Sequence, residues 1–406
     1  MINSSATSFA KSILRIPSKG RPTSAISHRL EAAEDETKRA VPKMFDTVHQ
    51  LSGLPELCRV AREAHIRFME STSDETSEME SELVSMIGDL WHGRRSVGNM
   101  TSGGTESNFN AMRAALRLSG RRTGSVVLPN TMHRSVLKAI DWLGLKAILV
   151  PVDEHAQAPP DRIREAVRKD TIALVATCAT NPYGTIDPIE EMGRLAEEKG
   201  IYLHVDAAFG GLYCPWVERL GRPVRRFDFR VKGVRSIASD PHKAGYGVYP
   251  AGCIVYRDEE TMKAASFNTE GIPLAYKSGH TTDPGLLGDR PAVGIAVAWS
   301  VFNYLGAEGY LRYADICERS KDGFVRALTQ VPGLEPVAES QTNLLAVMSK
   351  RFDLAPIKKK LKETGWSFGG SNGAPRTYQS NILIVFAAAN EGKYEPFLDD
   401  LRALAR

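Results

Sequence analysis

After Gly98 the chain alternates between short apolar segments and helix-like segments, and this alternation constrains its fold more than any other feature. The apolar segments are SVVLP, AILVP, TIALVAT and IYLHVD, and the helix-like ones are FNAMRAALRL, RSVLKAIDWLG, DRIREAVRKD and IEEMGRLAEEKG. Apolar runs without polar alternation are typical of strands buried on both faces of a mainly parallel sheet. The pattern therefore predicts an α/β architecture.

The remaining segments predict an N-terminal arm and a second, smaller domain. Residues 1–58 begin with a stretch of Ser, Lys, Arg, Glu and Pro that lacks apolar periodicity, which predicts an arm or segment outside the main core. A Gly- and Pro-rich stretch precedes a long apolar helix that begins near Pro291. The strand, helix, strand, helix order beyond it predicts a large domain at 59–288 and a small α+β domain at 289–406.

Composition excludes several classes of protein. A formal charge of +4 on 406 residues is too small for a nucleic-acid binder, and no apolar run approaches the roughly 20 residues that span a bilayer. The N-terminus lacks the apolar core of a secretory signal, although an organelle-targeting segment stays open. The five cysteines are odd in number and contain no CxxC pair. We expect reduced core thiols, no metal site and a cytoplasmic location.

The segment TSGGTESN at 101–108 is a candidate phosphate cradle, because it precedes a helix-like stretch. Glycines such as Gly104 allow close backbone approach, the N-terminus of a helix attracts anions, and Thr105 adds a hydroxyl donor. An ordinary loop with a helix cap is an equally simple explanation of the segment alone.

Two further segments carry candidate catalytic groups. Asp206 ends the apolar run IYLHVD and is followed by small residues, which places a carboxylate at the carboxyl end of a parallel strand, where α/β sheets bind ligands. The segment SIASDPHKAGYG contains Ser239, His242 and Lys243. Each residue also has a purely structural interpretation. Asp206 could cap a turn, and Lys243 could be a surface charge. In this order, the three segments together match the requirements of a pyridoxal phosphate (PLP) enzyme.

With the motifs TSGGTESN, HVDAAFGG and DPHK, the chain resembles the group II PLP-dependent amino acid decarboxylases, especially the archaeal tyrosine/aspartate decarboxylases, and the related sphingosine-phosphate lyases. The resemblance implies the aspartate-aminotransferase-like fold (fold type I), with a mainly parallel seven-stranded sheet. It makes Lys243 the Schiff-base lysine, and burial is expected to lower its pKa. Asp206 would pair with the pyridine nitrogen. Gly104, Thr105, Ser239 and His242 would bind the cofactor phosphate.

The resemblance also assigns contacts with the cofactor ring. His133 follows the strand SVVLP, where the family places the histidine that stacks on the ring, and Ala208 would pack on the opposite face. A residue of the loop after TIALVATCAT, Thr180 or Asn181, would lie near the ring hydroxyl.

A subunit contact follows from the same resemblance. Gly288, Asp289 and Arg290 match an element through which Arg290 reaches the phosphate in the neighbouring subunit. Asp289 stands where the family usually has Ser or Thr, and we expect it to turn towards Arg290. A homodimer with shared active sites is the predicted assembly.

The type of reaction is less well determined than the cofactor. Decarboxylation of an L-amino acid through the Lys243 Schiff base and a quinonoid intermediate is the main prediction, supported by DPHK and YPAG. The segment FDFRVKGV and the loop NPYG resemble the lyases, so retro-aldol cleavage of a β-hydroxy amine, plain or phosphorylated, is the alternative. Phosphate-handling lyases usually carry Lys at the position of Tyr249. A cofactor-binding protein without catalysis is the remaining class.

Several details stay open in the sequence. Tyr276 and His280 are candidates for the group that protonates the substrate α-carbon, because they lie in a Gly- and Pro-rich loop. His92, Arg94 and Arg95 could favour an acidic substrate or form a solvated turn. The substrate is predicted only as a small amino acid or amino alcohol.

Overall fold

The computed structural model describes residues 54–270, 282–288, 292–369 and 381–405, together with 22–24, 26–28, 30–31, 43–45, 272 and 290. Tyr276, His280 and Asp289 lie outside the described residues. The chain divides into two compact units, residues 1–42 and 43–406. The candidate site lies entirely in the second unit. The predicted domain limits at 58 and 288 stay predictions.

The second unit contains eleven α-helices and fourteen strands within its described residues. The strands are β1 Met44–Phe45, β2 Val97–Thr101, β3 Ser125–Pro129, β4 Lys146–Val150, β5 Thr171–Thr177, β6 Tyr202–Asp206, β7 Val234–Ser239, β8 Gly252–Tyr256, β9 Phe267–Asn268, β10 Thr282–Asp283, β11 Leu334–Pro336, β12 Leu344–Ser349, β13 Ser367–Phe368 and β14 Ile382–Val385. The helices are α1 Pro55–Phe68, α2 Ser77–Leu90, α3 Gly104–Leu118, α4 Arg134–Trp142, α5 Pro160–Ala166, α6 Ile189–Lys199, α7 Cys214–Arg219, α8 Glu259–Ala265, α9 Ala292–Leu328, α10 Ala355–Glu363 and α11 Tyr394–Leu404.

A seven-stranded sheet in the order β2-β8-β7-β6-β5-β3-β4 forms the centre of the fold. Its strands run parallel except β8, which is antiparallel to both of its neighbours. All seven residues of β5 are buried, as expected for a strand covered on both faces. Edge strand β4 is largely exposed and carries Lys146, a charge that discourages further pairing. The predicted α/β architecture with a seven-stranded, mainly parallel sheet is confirmed.

The C-terminal third contains a smaller sheet in which β12 pairs antiparallel with β11 and β14. Helix α9 leads into it and is interrupted at Gly306, where φ is 54° and ψ is −174°. The apolar pattern predicts only the part of α9 before this glycine. None of the helices in the described part of the chain combines the length and apolar character needed to cross a bilayer.

The parallel strands end at one edge of the large sheet, and the polar segments of the sequence follow them there. Asp206 is the last residue of β6, the turn that contains Lys243 follows β7, and α3 begins directly after β2. The adjacent positions of β6 and β7 in the sheet bring residues that are far apart in the chain to one place.

Candidate active site

Lys243 lies in the turn after β7 and is paired with a carboxylate of the same turn. Its Nζ is 2.8 Å from Asp240 Oδ2, and the exposed fractions of the two side chains are 19% and 2%. Nζ also lies 4.9 Å from the centre of the Phe209 ring. Burial alone lowers the pKa of Lys243, but the Asp240 and Asp206 carboxylates outweigh burial and raise it. Burial therefore acts in the expected direction, but in the protein alone the two carboxylates raise the pKa of Lys243 overall.

Asp206 is a buried carboxylate with a hydrogen bond to each oxygen. Oδ2 accepts from the Asn108 amide at 2.9 Å, and Oδ1 accepts from the Ala208 backbone N–H at 3.1 Å. Each carboxylate oxygen can accept a second bond. The carboxylate is thus oriented by the protein and can still accept a proton-bearing ring nitrogen.

His133 caps the N-terminus of α4. Its Nδ1 accepts from the Ser135 backbone N–H at 3.3 Å and lies 2.8 Å from Ser135 Oγ. His133 is an exposed residue, yet partial burial of its ring lowers its pKa, against the opposing effect of Asp206, and Lys243 lowers it further. Ser135 Oγ also lies 2.9 Å from the Asn108 amide that binds Asp206, so hydrogen bonds connect His133 with Asp206, and the lowered pKa leaves the His133 ring neutral at neutral pH.

A group of residues that we call the phosphate pocket comprises Gly103, Gly104, Ser239, Asp240 and His242. Helix α3 begins at Gly104, where an added Cβ would lie 3.2 Å from Asp240 Oδ2, and a Cβ at Gly103 would lie 3.4 Å from His242 Cε1. The two glycines therefore let the helix N-terminus approach the turn after β7. Ser239 Oγ, His242 Nδ1 and Asp240 Oδ1 are buried and have no hydrogen-bond partner in the described part of the chain.

These unpartnered groups provide a test of whether the site fits PLP. A hydroxyl and an imidazole nitrogen beside a helix N-terminus are groups that a phosphate can bind. Burial lowers the pKa of His242, so its ring is neutral and one nitrogen can donate. With Lys243 and Asp206 at the same edge of the sheet, the residues present fit the cofactor. Thr105 is exposed at the start of α3.

The structure does not bring the other predicted residues into the same hydrogen-bonded group. Thr180 is buried and its hydroxyl is bonded to that of Thr185, whereas Asn181 is exposed. Arg290 is paired with both carboxylate oxygens of Glu80 and donates to the Met100 carbonyl at 2.8 Å. Met100 belongs to β2, the strand that precedes Gly103 and Gly104 of the phosphate pocket. The proposed cofactor contacts of Thr180 and Arg290 stay predictions.

The structure joins two segments that the sequence analysis linked to the substrate or the reaction type, the turn at His92 and the segment FDFRVKGV. His92 Nδ1 lies 3.0 Å from Asp228 Oδ2, and Asp228 also binds Arg230 at 2.9 Å. Asp228 is buried within FDFRVKGV, so this part of the segment anchors the turn at His92. Arg94 and Arg95 are exposed.

Sequence reasoning missed the polar residues beneath the predicted site. Asn108 bonds to Asp206, to Ser135 Oγ and to His204, which in turn lies 2.8 Å from Ser236 Oγ. One signal was available, because His204 is a polar residue inside the apolar run IYLHVD. A buried polar side chain needs a partner, but the sequence does not say which.

The sheet, the buried Asp at the end of β6, the Lys after β7 and the helix N-terminus beside them define a PLP-dependent enzyme of fold type I. Comparison with known proteins then identifies the family. The model of the pyridoxal-dependent decarboxylase conserved domain matches residues 40–350. The chain belongs to this family of PLP-dependent carboxy-lyases, and PLP is its cofactor.

Individual relatives agree with this placement. The chain is 36% identical to a probable L-tyrosine/L-aspartate decarboxylase of Methanocella arvoryzae over 76% of this chain and 80% of the relative. It is 31% identical to an L-aspartate/L-glutamate decarboxylase of Pyrococcus horikoshii over 80% of this chain and 82% of the relative. Among solved structures, a sphingosine-1-phosphate lyase of Burkholderia pseudomallei superposes with a TM-score of 0.89 at 28% identity, over 98% of this chain and 93% of the lyase. The predicted resemblance is confirmed.

Proposed function

We propose that this chain decarboxylates a small L-amino acid to its amine, with Lys243 as the residue that carries the cofactor. The observation that supports this most directly is the grouping of Lys243, Asp206 and His133 at the carboxyl edge of the sheet. The relatives named as tyrosine, aspartate and glutamate decarboxylases support the same class of substrate.

Bound PLP supplies an electron-withdrawing ring that accepts the electron pair of a broken bond at the substrate α-carbon. Asp206 would hold a proton at the ring nitrogen, which strengthens this withdrawal. The neutral ring of His133 would pack against the cofactor without adding a positive charge. Ser239, His242 and the first N–H groups of α3 would hold the phosphate and so keep the ring in one orientation.

The residues of the site also determine what Lys243 does. Lys243 must lose a proton to act as a nucleophile, and Asp240, at 2.8 Å, is placed to accept it. A phosphate bound near Gly104 would approach the Asp240 carboxylate, so passing the Lys243 proton to Asp240 would also reduce the repulsion between phosphate and carboxylate. Tyr276 and His280 stay candidates for the group that protonates the α-carbon.

We further propose a homodimer. Arg290 is held beside β2 by Glu80 and the Met100 carbonyl, close to the start of the phosphate pocket. An arginine at this position could serve a cofactor site formed by two subunits. A cytoplasmic location is also proposed, from composition only.

Retro-aldol cleavage of a β-hydroxy amine is the second candidate, and the similarity to the sphingosine-1-phosphate lyase favours it. Tyr249 argues against a phosphorylated substrate. Its ring lies over His242 with 3.8 Å between ring centres, and it provides no cation at the place where phosphate-handling lyases carry Lys.

The test incubates PLP-loaded protein with pooled L-amino acids and, separately, with β-hydroxy amines and their phosphates. We expect carbon dioxide and an equal amount of amine from the amino acid pool, and loss of both in Lys243→Ala. Aldehyde without carbon dioxide from the β-hydroxy amines would replace the decarboxylase proposal with the lyase. Borohydride reduction should label Lys243, and a label on another lysine would refute its assignment.

A further inference from the structure

Asn108, in the second turn of α3, makes three hydrogen bonds beside the large sheet. The residue is fully buried. Its Nδ2 lies 2.9 Å from Asp206 Oδ2 and 2.9 Å from Ser135 Oγ, and its Oδ1 lies 2.9 Å from His204 Nε2. One amide therefore connects β6 with the start of α4.

The chemistry of the partners sets the direction of each bond. An ionised Asp206 can only accept, so the amide nitrogen of Asn108 must face it, and the amide oxygen must face His204. His204 Nε2 therefore carries a proton. Burial lowers the pKa of His204 to about 4, so at neutral pH its Nδ1 has no proton and accepts from Ser236 Oγ at 2.8 Å.

The second N–H of the Asn108 amide continues the network towards α4. Ser135 Oγ accepts from Asn108 and donates its own proton to His133 Nδ1 at 2.8 Å. Because His133 Nδ1 also accepts from the Ser135 backbone N–H, the proton of the neutral ring is on Nε2. The bonds therefore run in one direction from Ser236 to His133, and we call these connected side chains, Ser236, His204, Asn108, Asp206, Ser135 and His133, the ring network.

We propose that Asn108 is a positioning residue that orients Asp206 and His133, the two side chains assigned to the cofactor ring, through a single amide. The inference rests on the proposed function, because it takes both residues to contact PLP. Only an amide can donate twice and accept once with this shape, so Asp, Leu and Ser cannot reproduce all three bonds.

Other charged groups act on His133 and must be separated from the effect of Asn108. The Lys243 ammonium and the Asp240 carboxylate lie on the turn after β7, and both influence His133 electrostatically. Arg134 adjoins His133 on α4. None of these charges is altered by a substitution at Asn108, so a new pH dependence in such a variant would come from the introduced group.

The test compares Asn108→Asp and Asn108→Leu with the same substitutions at Asn110, a matched control. Asn110 is on the same helix, is fully buried, and has neither amide atom hydrogen-bonded within the described residues. The measurements are the dissociation constant of PLP from absorbance titration between pH 5.5 and 8.5, the spectrum of the bound cofactor, and the melting temperature of the cofactor-free protein.

We expect Asn108→Asp to weaken PLP binding at least tenfold at pH 8, because two carboxylates in contact cannot both be ionised without repulsion. The weakening should shrink towards pH 5.5, where the introduced carboxyl is protonated and can again donate to Asp206. Asn108→Leu should weaken binding at every pH and shift the spectrum of the bound cofactor. A purely structural role would not produce the pH-dependent part.

Wild-type affinity and spectrum in both Asn108 variants would overturn the inference, and so would a loss that is independent of pH and equal in the Asn110 controls. If either variant fails to fold, Asn108→Ser, which keeps one hydroxyl, should weaken PLP binding and shift the spectrum of the bound cofactor at every pH, and Asn110→Ser should do neither. Borohydride labelling of Lys243 in the wild type separates the two proposals. An unlabelled Lys243 would overturn the proposed function and this inference together, whereas a labelled one with unchanged Asn108 variants overturns the inference alone.

Discussion

The two ends of the candidate site are built differently. In the ring network the polar atoms around Asp206 are hydrogen-bonded to one another, through Asn108, His204 and Ser135. In the phosphate pocket, Ser239 Oγ, His242 Nδ1 and Asp240 Oδ1 are buried without a hydrogen-bond partner in the chain as described. The ring network is complete in the protein itself, and the phosphate pocket is not.

The difference has a physical meaning. Leaving a buried polar group unpaired costs about 1–3 kcal/mol, and at a binding site a ligand can supply the missing partner. The ring network is organised before the cofactor binds, which favours chemistry that depends on fixed charges. In the phosphate pocket, the cofactor phosphate would supply the missing partners of Ser239 and His242, whereas the Asp240 carboxylate oxygen would need a donor. Substitutions in the ring network should therefore affect turnover and stability as well as cofactor affinity, and those in the phosphate pocket should affect cofactor affinity alone.

The largest expected effect is that of Asp206→Asn in the ring network. The neutral amide cannot hold a proton at the cofactor ring nitrogen, so turnover at saturating PLP should fall roughly a thousandfold, which corresponds to about 4 kcal/mol in the barrier. Carbon dioxide release measures turnover, and absorbance titration measures PLP affinity, which should change less. Turnover within tenfold of the wild type would show that the carboxylate does not have this role.

Ser239→Ala should have a smaller effect of a different kind. A hydrogen bond to a charged group contributes about 1.5–3 kcal/mol, so PLP affinity should fall roughly tenfold to a hundredfold, while turnover at saturating PLP stays near that of the wild type. Inorganic phosphate should raise the melting temperature of the wild type more than that of the variant. If phosphate raised the melting temperatures of the wild type and the variant equally, the phosphate would not bind at Ser239.

The sequence predicts the parts of this molecule that depend on local pattern. The runs SVVLP and TIALVAT coincide with β3 and β5, because continuous apolar segments of that length suit buried strands. Strand β2, with the sequence VGNMT, lacks such a pattern and owes its place to pairing with β8, where Val97 is opposite Tyr256. Tertiary pairing overrides weak local preference there.

The same distinction applies to the site. Asp206 and Lys243 stand in motifs that can be recognised in the sequence, and their chemistry follows from residue type. The bonds of Asn108 cannot be read in this way, because they join residues separated by 98 and 96 positions. The raised pKa of Lys243 also depends on geometry, since it requires the Asp240 carboxylate to turn towards Nζ.

Asp240→Asn tests how the phosphate pocket controls Lys243. The carboxylate opposes burial and raises the pKa of Lys243, so the variant should have a lower pKa and a larger fraction of neutral amine at pH 7. Each unit by which the pKa falls raises that fraction tenfold, so PLP should associate faster by the same factor per unit, with the midpoint of its pH dependence moved to lower pH. Stopped-flow absorbance measures the rate.

A control for this prediction is Asp187→Asn. Asp187 is also a buried carboxylate, held at 2.7 Å by the Thr177 backbone N–H, and burial raises its pKa to about 7. Its substitution should leave the midpoint for PLP association in place. A midpoint that stays unchanged in Asp240→Asn, or that moves to higher pH, would contradict the role given to this carboxylate.

The smallest expected effect is on the free energy of unfolding of the cofactor-free protein, when either of two serines is replaced. Ser135→Ala removes a hydroxyl that accepts from Asn108 and donates to His133, so the free energy of unfolding should fall by about 1 kcal/mol. Ser239→Ala removes a hydroxyl that has no partner among the described residues, so it should cause no loss. Chemical denaturation without PLP measures both. Equal losses would mean that the two ends are equally complete before the cofactor binds, and the contrast between them would then have to come from the cofactor alone.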